Sequence, residues 1–353
     1  MQIDSDFWRG RRVLVTGHTG FKGAWLSIWL ARLGARVYGL ALDPPTDPSL
    51  FAEARVAELL EHHLGDVRDE RDVREAFAAA APEVVVHLAA QPLVRRSYAE
   101  PAQTFDVNVR GTVNVLDAVR RCGTPAALVV TSDKVYSLDG PPRALREDDP
   151  LGGADPYSAS KAAAEIVSAG YRSAFDLPVA TARAGNVLGG GDWSADRLLP
   201  DAARAALTKD TLVVRNPGAV RPWQHVLAPL SGYLMIAERL AAELPCDPAL
   251  NLGPADGREL TVRAMLERAA GLWDGRLTVD ERPEAAGREA PFLALDSSRA
   301  RALLGWEVPW DTDRALVETV AWYRGRERGD DPRALCEAQL EQFCQDGAAS
   351  PTH

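Results

Sequence analysis

From Arg12 to about Arg183, short apolar runs alternate with longer stretches whose apolar positions recur at helical spacing. The runs predict strands over 13–16, 36–40, 59–64, 84–88, 127–131 and 179–182; the stretches between them predict helices over 21–33, 73–80, 104–121 and 157–175. The strand segments are apolar throughout rather than alternating, which suits a parallel sheet covered on both faces. Repetition of this strand–helix unit predicts an α/β fold with a doubly wound parallel (Rossmann) sheet. After Arg183 the rhythm breaks into GNVLGGGDW, NPGAVRPW and ADGREL, with helices scattered between, which predicts a smaller mixed α/β cap. The expected division is a nucleotide-binding domain over 1–184 with a returning segment near 226–252, a substrate-binding cap over 185–225 and 253–345, and a frayed tail over 346–353. Ligands of such sheets bind beyond the carboxyl ends of the strands, here between sheet and cap.

Composition narrows the classes. A chain of 353 residues, 46% hydrophobic and 25% charged, has the material for a substantial core, which excludes intrinsic disorder and fibrous repeats. With 40 basic against 50 acidic side chains the formal charge is -10, so the molecule as a whole repels nucleic acid and acidic membranes, and any bound phosphate must be met by a local pocket. Cys122, Cys246, Cys336 and Cys344 form no CxxC pair and no metal-ligand spacing, and they read as reduced thiols. The charged start, MQIDSDFWRGRR, and the lack of any run of eighteen apolar residues predict a cytoplasmic chain, neither secreted nor membrane-spanning. Only four of the 40 basic residues are lysine (Lys22, Lys134, Lys161 and Lys209), and three of these fall inside the motifs below. A lysine in such a chain marks chemistry that arginine performs poorly.

The first motif, VLVTGHTGFKG, sets Gly17, Gly20 and Gly23 between the first strand and the first helix, where a pyrophosphate can approach the backbone at a helix N-terminus. Thr19, Phe21 and Lys22 belong to the same loop. Trp25 and Trp29, four apart on one face of that helix, read as packing. The acidic ribose ligand expected after the second strand is replaced by Ala41, with Asp43 the nearest acid; no arginine follows to receive a 2′-phosphate, so NAD is favoured over NADP. Asp66 and Val67, after the third strand, suit either the adenine end of a cofactor or a solvated turn. Leu88, Ala89 and Gln91 end the fourth strand where the cofactor passes.

Two further motifs carry reaction chemistry. Tyr157 and Lys161 in DPYSASK lie four apart on one helix face, and an ammonium near a phenol lowers the phenol's pKa and fixes a ribose. Ser132, Asp133 and Lys134 in VVTSDKVY end the fifth strand, 25 positions before the tyrosine. A hydroxyl there can bond a reacting sugar oxygen, and the adjacent acid and base can serve neighbouring carbons. The cap offers Arg183, Asn186, Arg197 and Arg221 to a diphosphate, with Gln224 and His225 beside them, although for any one arginine in this chain a surface ion pair is the commoner fate. His225 reads as structural, and His62 and His63 point to opposite faces of a strand, so no metal site is expected.

These residues resemble the extended short-chain dehydrogenase/reductase family from Arg11 to about Tyr323, on TGHTGFKGAWL, HLAAQPLVRRSY, TSDKVY, PYSASK, ARAGNVLGGGDW with DRLLPD, and RPWQHVLAPLSGYL. Within that family they are most similar to the branch that dehydrates CDP-glucose, because Asp133-Lys134 stands where the dTDP-glucose branch carries Asp-Glu. The resemblance implies an NAD-dependent internal redox cycle. Tyr157 takes the 4-hydroxyl proton and Ser132 polarises that oxygen; Lys134 removes the hydrogen at carbon 5 and Asp133 protonates the departing 6-hydroxyl. It implies Asn186 and Arg221 as the leading substrate ligands, and a structural role for Asn108. It also implies a homodimer joined as a four-helix bundle through helices 104–121 and 157–175, whose Ala162, Ala163, Ala164, Ile166 and Val167 exceed what one sheet face needs. The alternatives are a 4-epimerase, which needs only Ser132, Tyr157 and Lys161, and a non-catalytic NAD(P) sensor.

Overall fold

The computed structural model describes residues 3–254, 260–282 and 290–349. Seven strands, β1 (Arg12–Thr16), β2 (Arg36–Ala41), β3 (Glu61–Leu64), β4 (Val84–His87), β5 (Ala127–Val130), β6 (Val179–Ala184) and β7 (Ala249–Leu252), pair in parallel in the order β7-β6-β5-β4-β1-β2-β3. Every residue of β4, β5 and β6 is buried, whereas the edge strand β3 is half-exposed. That exposure accounts for the polar sequence EHHL, and the expected strand over 59–64 shrinks to four residues behind a tight turn at Val56–Leu59. The direction of winding reverses between β1 and β4, which opens a crevice at their carboxyl ends.

Local chemistry sets the helix boundaries. Helix α1 (Phe21–Arg32) begins at Gly20, and its Trp25 and Trp29 are buried: Trp25 Nε1 donates to Gly190 O at 3.0 Å. Helix α2 (Glu70–Ala80) starts three residues before the apolar pattern does, because Asp69 caps it by accepting from Arg71 N and its first turn is charged. The single helix expected over 104–121 is three pieces: Pro101–Phe105, a π turn at Asp106–Arg110, and α3 (Gly111–Cys122). The wide turn carries Asn108 into the interior, where its Oδ1 accepts from Gln91 N (2.8 Å) and its Nδ2 donates to Ser160 Oγ (2.8 Å). Helix α4 (Pro156–Phe175) has Pro156 in its first turn and Asp155 as cap, accepting from the Ser158 backbone and hydroxyl.

Beyond β6 the cap is built on two-stranded ribbons: Val187–Leu188 with Gln224–His225, Val220–Arg221 with Leu260–Thr261, and Thr211–Val214 with Thr278–Glu281. The chain then returns through α5 (Leu227–Ala241) to β7, which pairs with β6. The last helix, α6 (Pro332–Ala349), packs both on α1 and on the preceding helix Thr312–Glu327, with Phe343 edge-on to both Trp29 and Trp310. Residues 346–349, expected as frayed tail, complete its last turn, and Asp346 accepts from Trp310 Nε1 at 2.8 Å. The remainder of that tail, residues 255–259 of ADGREL and residues 283–289 lie outside the described residues. No described helix is long and apolar enough to cross a membrane.

Candidate active site

A cleft of about 1440 Å³ runs along the carboxyl ends of β1, β4 and β5 and under the cap. Small-ligand pockets are commonly about 300–1,000 Å³, so this one has room for a dinucleotide and a second ligand together. At its floor β1 turns at Gly17, where φ is +77° and a Cβ would stand 2.7 Å from Ala89 N. A Cβ at Gly23 would stand 2.2 Å from Gly17 O. Both positions therefore exclude side chains, and they leave the unpaired amides at the start of α1 facing the cleft, a fitting seat for a pyrophosphate. Thr19 holds the loop by donating to Leu42 O at 2.9 Å.

Gly17, Thr19, Gly20, Phe21, Lys22, Gly23, Asp66, Val67, Leu88, Ala89 and Gln91 all line the cleft. Besides Thr19, the side chains of Gln91 and Asp66 are committed elsewhere. Gln91 accepts from Leu93 N and donates to Thr104 Oγ, so its amide holds the loop after β4. Asp66 accepts from Arg68 N, Nε and Nη2; burial pushes its carboxyl up, but those bonds outweigh burial and hold it below the usual range, as an ionised acceptor at the rim. Lys22 reaches the centre of the cleft. Burial, with Arg197 nearby, lowers its ammonium to about 8 against the pull of Asp133 and Asp192. His62, which alternates with His63 along β3, meets His18 of the glycine loop, with its Nδ1 at 2.6 Å from His18 Nε2.

The reacting groups gather where β5 meets α4. Beyond Val130 the chain passes through Thr131 into a tight turn at Asp133–Val135, capped by Ser132 Oγ accepting from Lys134 N at 3.2 Å. Ser132 Oγ donates to Asp133 Oδ1 at 3.0 Å. Asp133 is 2% exposed and its Oδ2 has no hydrogen-bond partner; burial pushes its carboxyl up, against Lys134, Ser132, Arg221 and Lys22. Tyr157 and Lys161 face this turn from α4, and Lys134 is half-buried on its cleft side. The expected lowering of the Tyr157 pKa by Lys161 is not what the geometry gives. Burial dominates and raises the phenol, Ser132 and Arg197 oppose it, and Lys161 Nζ donates instead to Val130 O at 3.0 Å. Burial also brings Lys161 down to about 8, with Glu165 opposing.

On the cap side Asn186, Arg197 and Arg221 line the cleft. Gln224 does not: it is 1% exposed and donates to Leu252 O at 2.7 Å, because the Gln224–His225 ribbon turns both side chains into the core. Arg183 is likewise withdrawn from any diphosphate, buried in an ion pair with Glu165 at 2.8 Å. Sequence reasoning missed Arg95, Asp192, Arg204, Arg215 and Asn216, which also line the cleft. VRRSY and RNPGAVRPW hold the corresponding signals: Arg215-Asn216 lie in the connection between Thr211–Val214 and Val220–Arg221, strands of two different ribbons.

The profile described as "NAD dependent epimerase/dehydratase family" matches residues 13–253. The chain belongs to this family. It is 45% identical to the CDP-glucose 4,6-dehydratase of Salmonella typhimurium, over 97% of this chain and 98% of that protein. It is 31% identical to a dTDP-glucose 4,6-dehydratase of Streptomyces griseus, over 88% and 93%. Among solved structures, the UDP-glucose 4-epimerase of Thermus thermophilus in complex with NAD superposes with a TM-score of 0.78 at 26% identity, over 89% of this chain and 99% of that one. Family membership thus meets the resemblance carried by the motifs, and the glycine cradle fits the NAD that the family's description names.

Proposed function

We infer that the protein is an NAD-dependent hydro-lyase that converts CDP-glucose to CDP-4-keto-6-deoxyglucose and water. The observation that carries this reading is the buried acid Asp133 between Ser132 and Lys134 at one strand end, with Tyr157 of α4 lining the same cleft. Gly17, Gly20 and Gly23 would hold the NAD pyrophosphate, Asp66 and Val67 its adenosine end, and Tyr157 and Lys161 its nicotinamide ribose. Bound NAD supplies a reversible hydride acceptor, which makes the overall conversion redox-neutral. Tyr157 receives the proton of the 4-hydroxyl as its phenolate, the form that the Lys161 ammonium and bound NAD favour, while Ser132 orients that oxygen. Once carbon 4 is a carbonyl, the hydrogen at carbon 5 is acidic, and Lys134 is the base beside it. Asp133, kept protonated by burial, donates to the 6-hydroxyl as it leaves as water. Asn186, Arg197 and Arg221 serve the substrate diphosphate and sugar. A 4-epimerase has no use for the Asp133–Lys134 pair.

The same reading extends to assembly and compartment. Phe105, Val109 and Val113 with Ala163 of α4 line a shallow apolar groove, and Ile166 beside it is 63% exposed. A second copy of the chain covering both helices, as a four-helix bundle, accounts for that apolar surface. The cytoplasm is the compartment this reading assigns, where the four free cysteines stay reduced.

The test is incubation of the protein and NAD with CDP-, dTDP-, UDP- and GDP-glucose in separate reactions, followed by mass spectrometry of the sugar nucleotide. Loss of one water with CDP-glucose is expected. Isomerisation at unchanged mass would make the protein an epimerase, and turnover of a different nucleotide in preference would overturn the base assignment.

A further inference from the structure

Glu165 stands one helical turn beyond Lys161 and two beyond Tyr157, so the three share one face of α4. Its carboxylate is buried and accepts from three donors: Thr131 Oγ at 2.5 Å, Thr181 Oγ at 2.7 Å and Arg183 Nη2 at 2.8 Å. Arg183 Nη1 also donates to Tyr136 Oη, which donates in turn to Asn251 Oδ1 on β7. Thr131 is the residue that leads from β5 into Ser132–Asp133–Lys134, and its neighbour Val130 accepts from the Lys161 ammonium. Two adjacent positions of the strand end are thereby tied to consecutive turns of the helix that carries Tyr157.

The geometry points to Glu165 as a positioning residue that, through Thr131 and Arg183, sets Tyr157 and Lys161 against Ser132. This rests on the catalytic reading of the cleft given above. A buried ion pair such as Arg183–Glu165 adds little net stability over well-packed apolar residues, so its presence beneath the reacting strand end is better explained by the geometry it enforces.

The groups facing Lys161 are Tyr157 and Glu165 on its own helix, His87 from β4, Lys22 from α1 and, from the turn after β5, Lys134 and Asp133, whose protonated form burial favours. Burial holds His87 neutral, with its pKa down at about 3, and Lys22 is a like charge, so Glu165 is the group that favours the ammonium. Arg183 offsets part of the Glu165 charge. Activity needs Lys161 protonated to fix the ribose and assist the phenol. Removing the Glu165 charge therefore lets Lys161 lose its proton at lower pH, and the alkaline limb of the rate profile moves down.

The experiment is the pH profile of kcat and KM for the holoenzyme with saturating NAD and varied CDP-glucose, with folding followed by circular dichroism. Glu165→Gln is expected to lower kcat about tenfold at little change in KM, with the alkaline limb displaced by about one pH unit. Glu165→Asp, which keeps the charge, is expected to restore the limb. An unaltered kcat and limb in folded Glu165→Gln would overturn the inference. Because that variant leaves Arg183 without its counter-charge and can fail to fold, Thr131→Val is the second test: it is expected to lower kcat several-fold with the limb unmoved, and parental kcat would remove the positioning role. Tyr157→Phe separates the two levels of argument. Retained turnover in that variant brings down the catalytic reading itself, whereas its loss beside an unaltered Glu165→Gln overturns only the role of Glu165.

Discussion

Asp133 and Lys134 are neighbours in sequence with opposite environments. The carboxyl is buried against the floor of the cleft with one oxygen unpartnered, while the lysine is half-buried at its side. A buried carboxyl resists ionisation because the charged form loses its hydration, which suits a group that must give up a proton to a departing hydroxyl. Asp133→Asn keeps the shape and removes that proton. Its water loss is expected to slow by about 10²–10⁴-fold, while exchange of the carbon-5 hydrogen in deuterated solvent continues, as mass spectrometry of the recovered sugar nucleotide will register. Lys134→Ala is expected to retain NAD binding, followed by quenching of tryptophan fluorescence, yet to abolish both exchange and dehydration. Normal 4-keto-6-deoxy product from that variant would take Lys134 out of the mechanism.

At the scale of elements, α4 has two working faces. One presents Tyr157, Lys161 and Glu165 to the sheet; the other carries Ala163 and the exposed Ile166 beside the groove lined by Phe105 and Val109. Replacing Ile166 by Asp puts a charge into the centre of the proposed bundle and leaves the catalytic face untouched. The parent is expected to run as a dimer and Ile166→Asp as a monomer in light scattering coupled to size exclusion; an unchanged mass for both would remove this face from the assembly. The helices also show how far patterning reaches. Apolar spacing located the segment over 104–121 as helical, but not its π turn, because that turn exists to bring Asn108 against Gln91 and Ser160, contacts with residues 17 and 52 positions away.

For the whole molecule, the returning helix α5 ties the N-terminus to the sheet. Glu238 accepts from Trp8 Nε1 at 2.6 Å and from Asp4 N at 3.1 Å, and burial raises its carboxyl to about 7 despite those bonds. A carboxyl raised on folding contributes stability that is present below its ordinary range and lost as pH rises through about 7. Glu238→Gln keeps an acceptor for Trp8 and removes the charge. Its Tm is expected to exceed that of the parent by a few degrees above pH 7 and to converge with it in acid; parallel curves at all pH values would exclude Glu238 as the source.

The sequence by itself determined the parallel sheet, the glycine turn and the strand-end and helix motifs. Each depends on residues adjacent in the chain, such as apolar runs, glycines at a forced turn, or a Tyr and a Lys one helical turn apart. Tertiary structure alone decided which polar groups face the cleft and which serve the frame. Gln224 and Arg183, plausible ligands by position, turn inward because the ribbon at Gln224–His225 and the carboxylate of Glu165 claim them. Arg215 and Asn216 enter the site because a cap ribbon folds over the sheet. The phenol of Tyr157 is raised rather than lowered because burial at the bottom of a cleft, a property of the whole fold, outweighs a neighbouring charge whose hydrogen bond goes to the backbone of Val130.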